Sequence, residues 1–106
     1  MPIGLVYALM SDETHDWYIG STTQRLKDRM KRHRYESKTE WRPKYHYPLY
    51  ECIRAHGGMD CWRLVEIERV EYSTISELRL REEELRCELG PTLNVLRASR
   101  AVPDIA

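Results

Sequence analysis

The residues of this chain that could do chemistry are two tyrosines, an arginine, a histidine and a glutamate. Tyr7 stands in the apolar stretch Gly4-Leu5-Val6-Tyr7, and Tyr18 opens Tyr18-Ile19-Gly20 eleven residues later. Arg29 and His33 follow within the basic run Ser21 to Arg34. Their i, i+4 spacing places both on one side of a helix. A guanidinium fork suits phosphate oxygens, while phenols and imidazole can move protons. Glu82 adds a carboxylate that could hold a hard cation. As a set, these groups suit a site that cleaves a phosphodiester.

The elements that must position them can be read from periodicity. Ile3 to Met10 is apolar and contains branched residues, which predicts a buried strand. Ser11 to His15 is a polar turn and Trp17 to Gly20 a second strand, so an antiparallel hairpin is expected. Pairing centred on Asp12-Glu13 would set Tyr7 directly opposite Tyr18, and slips by an even number of residues keep the two on one face. Such a pair can equally be an aromatic contact filling a core. Thr22 or Thr23 can cap a helix running to about Tyr35, with Leu26, Met30 and His33 on one stripe and Arg29 at its edge. Arg25 and Arg32 lie further round, toward water.

Glu36 to Tyr47 reads as a loop. Its Trp41, Arg42, Lys44, Tyr45, His46 and Tyr47 mix cations with stacking surfaces, as an ordinary surface loop or a nucleic-acid groove would. Leu49, Cys52, Ile53 and His56 recur at helical spacing up to Gly57-Gly58, and Trp62 to Val70 reads as a half-buried strand with Val65 and Ile67 inward. Thr74-x-x-Glu77 is a capping box that starts a helix to Leu89. Its apolar stripe is Ile75, Leu78, Leu85 and Leu89, and Glu82 fills the gap in it. A carboxylate on a buried face needs a cation, either an arginine or a metal ion.

Composition bounds the rest. At 106 residues with 42% hydrophobic and 32% charged residues, the chain fits one soluble domain. Lys plus Arg and Asp plus Glu each total 17, so net charge is zero. The charges are nonetheless segregated: nine Lys/Arg against three Asp/Glu from Arg25 to Lys44, and eight acids against four bases from Glu66 to Glu88. These runs are either solvated helix faces or a phosphate-binding surface beside a cation-binding element. Three cysteines without a C-x-x-C pair fit free thiols in a reducing compartment. No apolar run reaches the ~20 residues of a bilayer span, and Met-Pro-Ile-Gly lacks a signal pattern. A cytoplasmic, nucleoid or nuclear chain that is neither secreted nor associated with a membrane is expected.

Taken in order, these residues resemble the GIY-YIG nuclease family over nearly the whole chain, in particular its small viral, phage and homing-type members. Tyr18-Ile19-Gly20 is similar to the second family motif, and Leu5-Val6-Tyr7 stands at the place of the first, keeping its tyrosine but replacing its Gly-Ile. Ser21-Thr22-Thr23 through Arg29-x-x-x-His33, Pro48-Leu49-Tyr50 with His56-Gly57, Leu78-Arg79-x-Arg81-Glu82 and Thr92-Leu93-Asn94 resemble the motifs that follow. The resemblance implies an α+β fold, a small three-stranded antiparallel sheet flanked by helices, over residues 1–97, with a tail at 98–106 that lacks periodicity and is expected to be mobile.

The resemblance further implies a metal-dependent DNA endonuclease leaving 5′-phosphate and 3′-hydroxyl ends. One Mg2+ or Mn2+ per site would be held by Glu82 and waters. Tyr7 would orient or deprotonate the nucleophile, assisted by Tyr18 or His33, and Arg29 would hold the scissile phosphate. Asn94 would anchor the edge of the site or a phosphate. Arg25, Arg32, Arg42, Lys44 and His46 are the candidate DNA contacts, with His46 or Lys44 taking the second basic position. DNA is the expected partner, with a homodimer or partner protein supplying target recognition. The alternatives are a catalytically weak nucleic-acid-binding module and the catalytic subunit of a repair or recombination assembly.

Overall fold

The computed structural model describes residues 2–94. The expected tail at 98–106 lies outside them. Strand β1 (Ile3–Ser11), β2 (Tyr18–Thr22) and helix α1 (Leu26–Lys38) are followed by a 3-10 turn at Pro43–His46 and helix α2 (Pro48–Ala55). A second 3-10 turn at Met59–Cys61 leads into β3 (Trp62–Glu71), then helix α3 (Ile75–Leu89) and a last 3-10 turn at Thr92–Asn94. The three strands form one antiparallel sheet in the order β2-β1-β3. This is the α+β architecture expected. Among the described residues, no helix is long and apolar enough to cross a membrane.

The central strand explains why its sequence is apolar without alternation. Tyr7 and Leu9 pack with Leu49, Tyr50, Ile53, Met59 and Trp62 on the side covered by α1 and α2. Val6 packs on the opposite side with Ile19, Leu78 and Leu85, under α3. A strand covered on both faces has no water-facing positions to fill with polar residues. Gly4 lets α3 approach: a Cβ there would lie 2.6 Å from a Leu78 methyl carbon.

The cap expected for α3 forms, whereas the threonine cap expected for α1 and the register expected for the hairpin do not. Thr74 and Glu77 form the capping box. The hairpin is slipped by two residues: Tyr7 pairs with Gly20, and Leu9 with Tyr18. Tyr7 and Tyr18 share a face without being directly opposite. Helix α1 begins at Leu26 because Thr22, still in β2, turns its hydroxyl to the Gln24 amide and does not cap the helix. It continues to Lys38, so Glu36 and Ser37, expected in a loop, are buried helical residues. In β3 the pairs Tyr7–Glu66 and Val6–Glu68 leave Ile67 as an extra residue. This bulge brings Val70 to the α3 side, where Ile67 already lies, whereas Val65 is exposed. Helix α3 buries only Leu78, Glu82 and Leu85, while Ile75 and Leu89 at its ends are exposed.

The outer edge of β2 is met at Trp17 and Ile19 by the turn at Thr92–Asn94. The Asn94 side chain accepts the Ile19 amide at 3.0 Å and donates to the Ile19 carbonyl at 2.8 Å. Leu93 donates its amide to the Trp17 carbonyl, and the Trp17 amide donates to the Thr92 hydroxyl. A short side-chain and backbone ladder thus stands in for a fourth strand. Asn94→Ala strips both bonds from a buried residue and should cost on the order of 2–4 kcal/mol, read as a lower urea midpoint. An unchanged midpoint would remove Asn94 from the fold's essential contacts.

Candidate functional site

Helix α1 lies on the Tyr7 face of the sheet and delivers Arg29 and His33 to the same phenol. The Arg29 Nε donates to the Tyr7 hydroxyl at 3.1 Å, and the His33 Nε2 lies 2.7 Å from that oxygen. On its other side the His33 Nδ1 is 2.9 Å from the Tyr50 hydroxyl, on α2. Arginine can only donate, so Tyr7 accepts from Arg29 and sends its own proton to Nε2. The hydrogen-bond network then assigns the tautomer: Nδ1 carries the proton and donates to Tyr50. Tyr50 is a site residue absent from the expected set, although it stands in the motif Pro48-Leu49-Tyr50.

Space for this arrangement comes from Gly20, which the register places against Tyr7. A Cβ on Gly20 would lie 2.5 Å from the Tyr7 hydroxyl and 2.9 Å from the Tyr18 ring. No side chain fits there without displacing one of them. Tyr18, half-buried, packs edge-on to His33 with ring centroids 6.1 Å apart. Tyr7 itself is 0% exposed, so Arg29 and the ring cage cap its hydroxyl completely.

Burial sets the protonation of this cluster. It pushes the Tyr7 phenol well above its ordinary value, Tyr18 adds to the effect, and the Arg29 charge only partly opposes it. The Tyr50 phenol is raised for the same leading reason. His33 is lowered to about 3, first by burial and then by the charges of Arg29 and Lys44. Arg29 stays charged: burial works against it, but the Tyr7 oxygen more than compensates. At neutral pH the cluster is therefore phenol, neutral imidazole and guanidinium.

Arg29 also lines a cleft of about 260 Å³ with Ser21, Thr22, Thr23, Gln24, Ile75, Leu78 and Arg79. Hydroxyls, an amide and two guanidiniums make its polar lining suited to an anion. Ser21 donates its hydroxyl to the Glu82 Oε1 at 2.6 Å, so the carboxylate lies one hydrogen bond from the cleft. Glu82 is 5% exposed, as its place in the apolar stripe implied. Its charge also acts on Arg86, one turn along α3, although that guanidinium is hydrogen-bonded mainly to Glu83. Among the described residues, no three His, Cys, Asp or Glu gather as a metal cluster. The donors at Glu82 are instead hard oxygens from one carboxylate and a hydroxyl. That set fits an ion such as Mg2+, which keeps several waters, and not a closed zinc site.

The remaining basic residues are dispersed. Arg25, at the start of α1, is exposed and paired with Asp28. Arg32 and Arg42 bracket the buried Glu36, at 2.9 and 3.1 Å. Glu36 is 1% exposed, and although burial raises its pKa, the Arg42 and Arg32 hydrogen bonds outweigh this and hold it below the ordinary carboxylate range. Lys44 and His46 are exposed in the turn Pro43–His46. Of these two, Lys44 acts on His33 through its charge, whereas His46 packs edge-on to Tyr45. Asn94 serves the β2 edge and not the cleft. Arg79, in the motif Leu78-Arg79-x-Arg81-Glu82, lines the cleft as well, because α3 presents it one turn before Glu82. The three cysteines are free.

Compared with protein-family models, with curated proteins and with solved structures, the chain matches none.

The depressed His33 has a measurable consequence. Its folded value lies below the unfolded 6.5, so the unfolded chain takes up a proton that the folded one refuses. The stability this contributes is present above pH 6.5 and is lost as pH falls toward about 3, at up to ~1.4 kcal/mol per pH unit. Urea titrations between these limits should give a flatter pH dependence for His33→Gln than for the wild type. Equal slopes would mean that His33 is not held neutral by the fold.

Proposed function

We propose that this chain is a divalent-metal-dependent endonuclease that hydrolyses phosphodiester bonds in DNA, leaving 5′-phosphate and 3′-hydroxyl ends. The observation that carries the reading is the double engagement of Arg29, which holds the Tyr7 hydroxyl while lining the polar cleft beside Glu82. The resemblance to GIY-YIG nucleases points the same way.

In this reading a backbone phosphate enters the cleft and becomes the partner of the Arg29 guanidinium. Hydroxyls of Ser21, Thr22 and Thr23 and the Arg79 guanidinium surround it. As Arg29 turns from Tyr7 to the phosphate, the phenol is uncapped. The arriving negative charge also offsets the Arg29 and Lys44 cations, which depress His33 after burial does, so the imidazole regains part of its basicity. Tyr7 then accepts a proton from the attacking water while passing its own to the His33 Nε2. No free phenolate is required, which matters because burial disfavours that species. Arg29 donates to the oxygens on which charge grows in the transition state. Glu82 would hold one Mg2+ or Mn2+ with water completing its shell, and such an ion when bound stabilises the leaving 3′ oxygen. Arg25, Lys44 and His46 extend contact along the DNA backbone. One such site cuts one strand, so a second copy or a partner protein would complete a double-strand cut.

Cleavage of DNA with Mg2+ or Mn2+ is expected, with loss of activity in EDTA. Glu82→Gln and Arg29→Ala should each cleave at least ~100-fold more slowly, the scale of losing one transition-state contact. The panel should include single-stranded, duplex and branched DNA as well as RNA, with product ends mapped. Wild-type rates from Glu82→Gln would sink the carboxylate's role. Salt-sensitive DNA binding without cleavage under any divalent ion would make the chain a binding module.

A further inference from the structure

We propose that Trp41, with Tyr35 and Arg42, forms a stacking platform for an unpaired base, so that the favoured substrate carries single-stranded nucleotides beside the scissile phosphate. The proposal rests on the nucleic-acid reading of the cleft and narrows it to a substrate class. Trp41 is 74% exposed, and Tyr35 is also exposed. The Arg42 guanidinium carbon stands 5.6 Å from the Tyr35 ring centroid and 5.7 Å from that of Trp41. An indole left in water packs no core, and a flat face joined to a cation is the chemistry on which nucleobases stack.

The platform is held in place before any ligand arrives. Arg42 donates to both carboxylate oxygens of Glu36, at 3.4 and 3.1 Å. Glu36 is itself buried at the end of α1. Arg54 lies 3.6 Å from the Tyr45 ring centroid and donates to the carbonyls of Ser37 and Tyr45, fixing the segment that follows Trp41. Ordering cost at binding is therefore low.

The platform is anchored, through Glu36, to the helix that carries Arg29. Glu36 is seven residues beyond Arg29 on α1, which returns it to nearly the same face about 10 Å further along the axis. Lys44, exposed nearby in sequence, adds positive charge for the backbone. A continuous duplex keeps its bases stacked inside and offers none to Trp41. A single-stranded, gapped or branched nucleic acid does offer one. A protein partner would use the same aromatics, but it would not depend on the presence of bases.

Binding should be measured in the Glu82→Gln background with Mg2+ present, so that cleavage does not intervene. Three probes of about 12 nucleotides separate the sources of affinity: a thymidylate strand, an abasic strand with the same phosphates, and a duplex. The thymidylate strand should bind roughly 10-fold or more tightly than the abasic strand and quench tryptophan fluorescence. Trp41→Ala should remove that preference without lowering the melting temperature, and Trp41→Tyr should restore part of it. Equal affinity for thymidylate and abasic strands, or Trp41→Ala binding both as before, overturns the platform. So does concentration-dependent self-association of the free chain that Trp41→Ala abolishes, which would make the patch a contact between copies. Trp41-dependent base preference in a chain that never cleaves would keep the platform and defeat the nuclease reading. Cleavage without base preference would do the reverse.

Discussion

A phenol buried on the central strand must have its hydrogen bonds supplied from within the protein, and that requirement shapes this molecule. Tyr7 lies on β1 with no access to water. An unpaired hydroxyl there would cost about 1–3 kcal/mol. Helix α1 is therefore set so that two residues one turn apart reach the same oxygen, and α2 brings Tyr50 to the far side of the imidazole. Gly20 follows from the same demand, since only a residue without a side chain leaves room above the ring. Packing and proton arrangement here are one problem with one solution.

Two buried carboxylates illustrate how environment assigns different work to the same group. Glu36 takes hydrogen bonds from two guanidiniums, which fix its charge and tie the Arg42 loop to α1. Only the carboxylate end of each pair is buried, and its two bonds join the end of α1 to the segment that follows, so its business is architecture. Glu82 accepts a neutral hydroxyl at Oε1 beside a cleft with two arginines in its wall.

Much of this was legible in the sequence where information is local. Unbroken apolarity in β1, the Thr74–Glu77 box and a glutamate interrupting the apolar stripe of α3 each follow from spacing within a turn or a strand. The i, i+4 pair Arg29 and His33 was readable for the same reason. The rest depended on contacts between distant segments. Tyr50 joins His33 across 17 residues, and Asn94 meets Ile19 across 75. The two-residue slip of the hairpin and the bulge at Ile67 preserve or invert faces in ways that local alternation does not encode. Glu36 was misplaced into a loop because its polar type masked a buried helical position whose charge partners, Arg32 and Arg42, lie on either side of it.

The turn at Thr92–Asn94 gives the sheet a direction. A three-stranded sheet exposes two rows of backbone groups, each of which could recruit a foreign strand. Here the start of the β2 row is occupied by the chain itself, through Trp17, Ile19 and the Asn94 amide. Strand β3 is the other edge, and it carries exposed Arg63, Glu66, Arg69 and Glu71 of mixed sign. Stacking of molecules edge to edge needs two open edges per copy for a chain to propagate. Among the described residues, growth through the β2 edge is therefore blocked where Trp17 and Ile19 are already engaged.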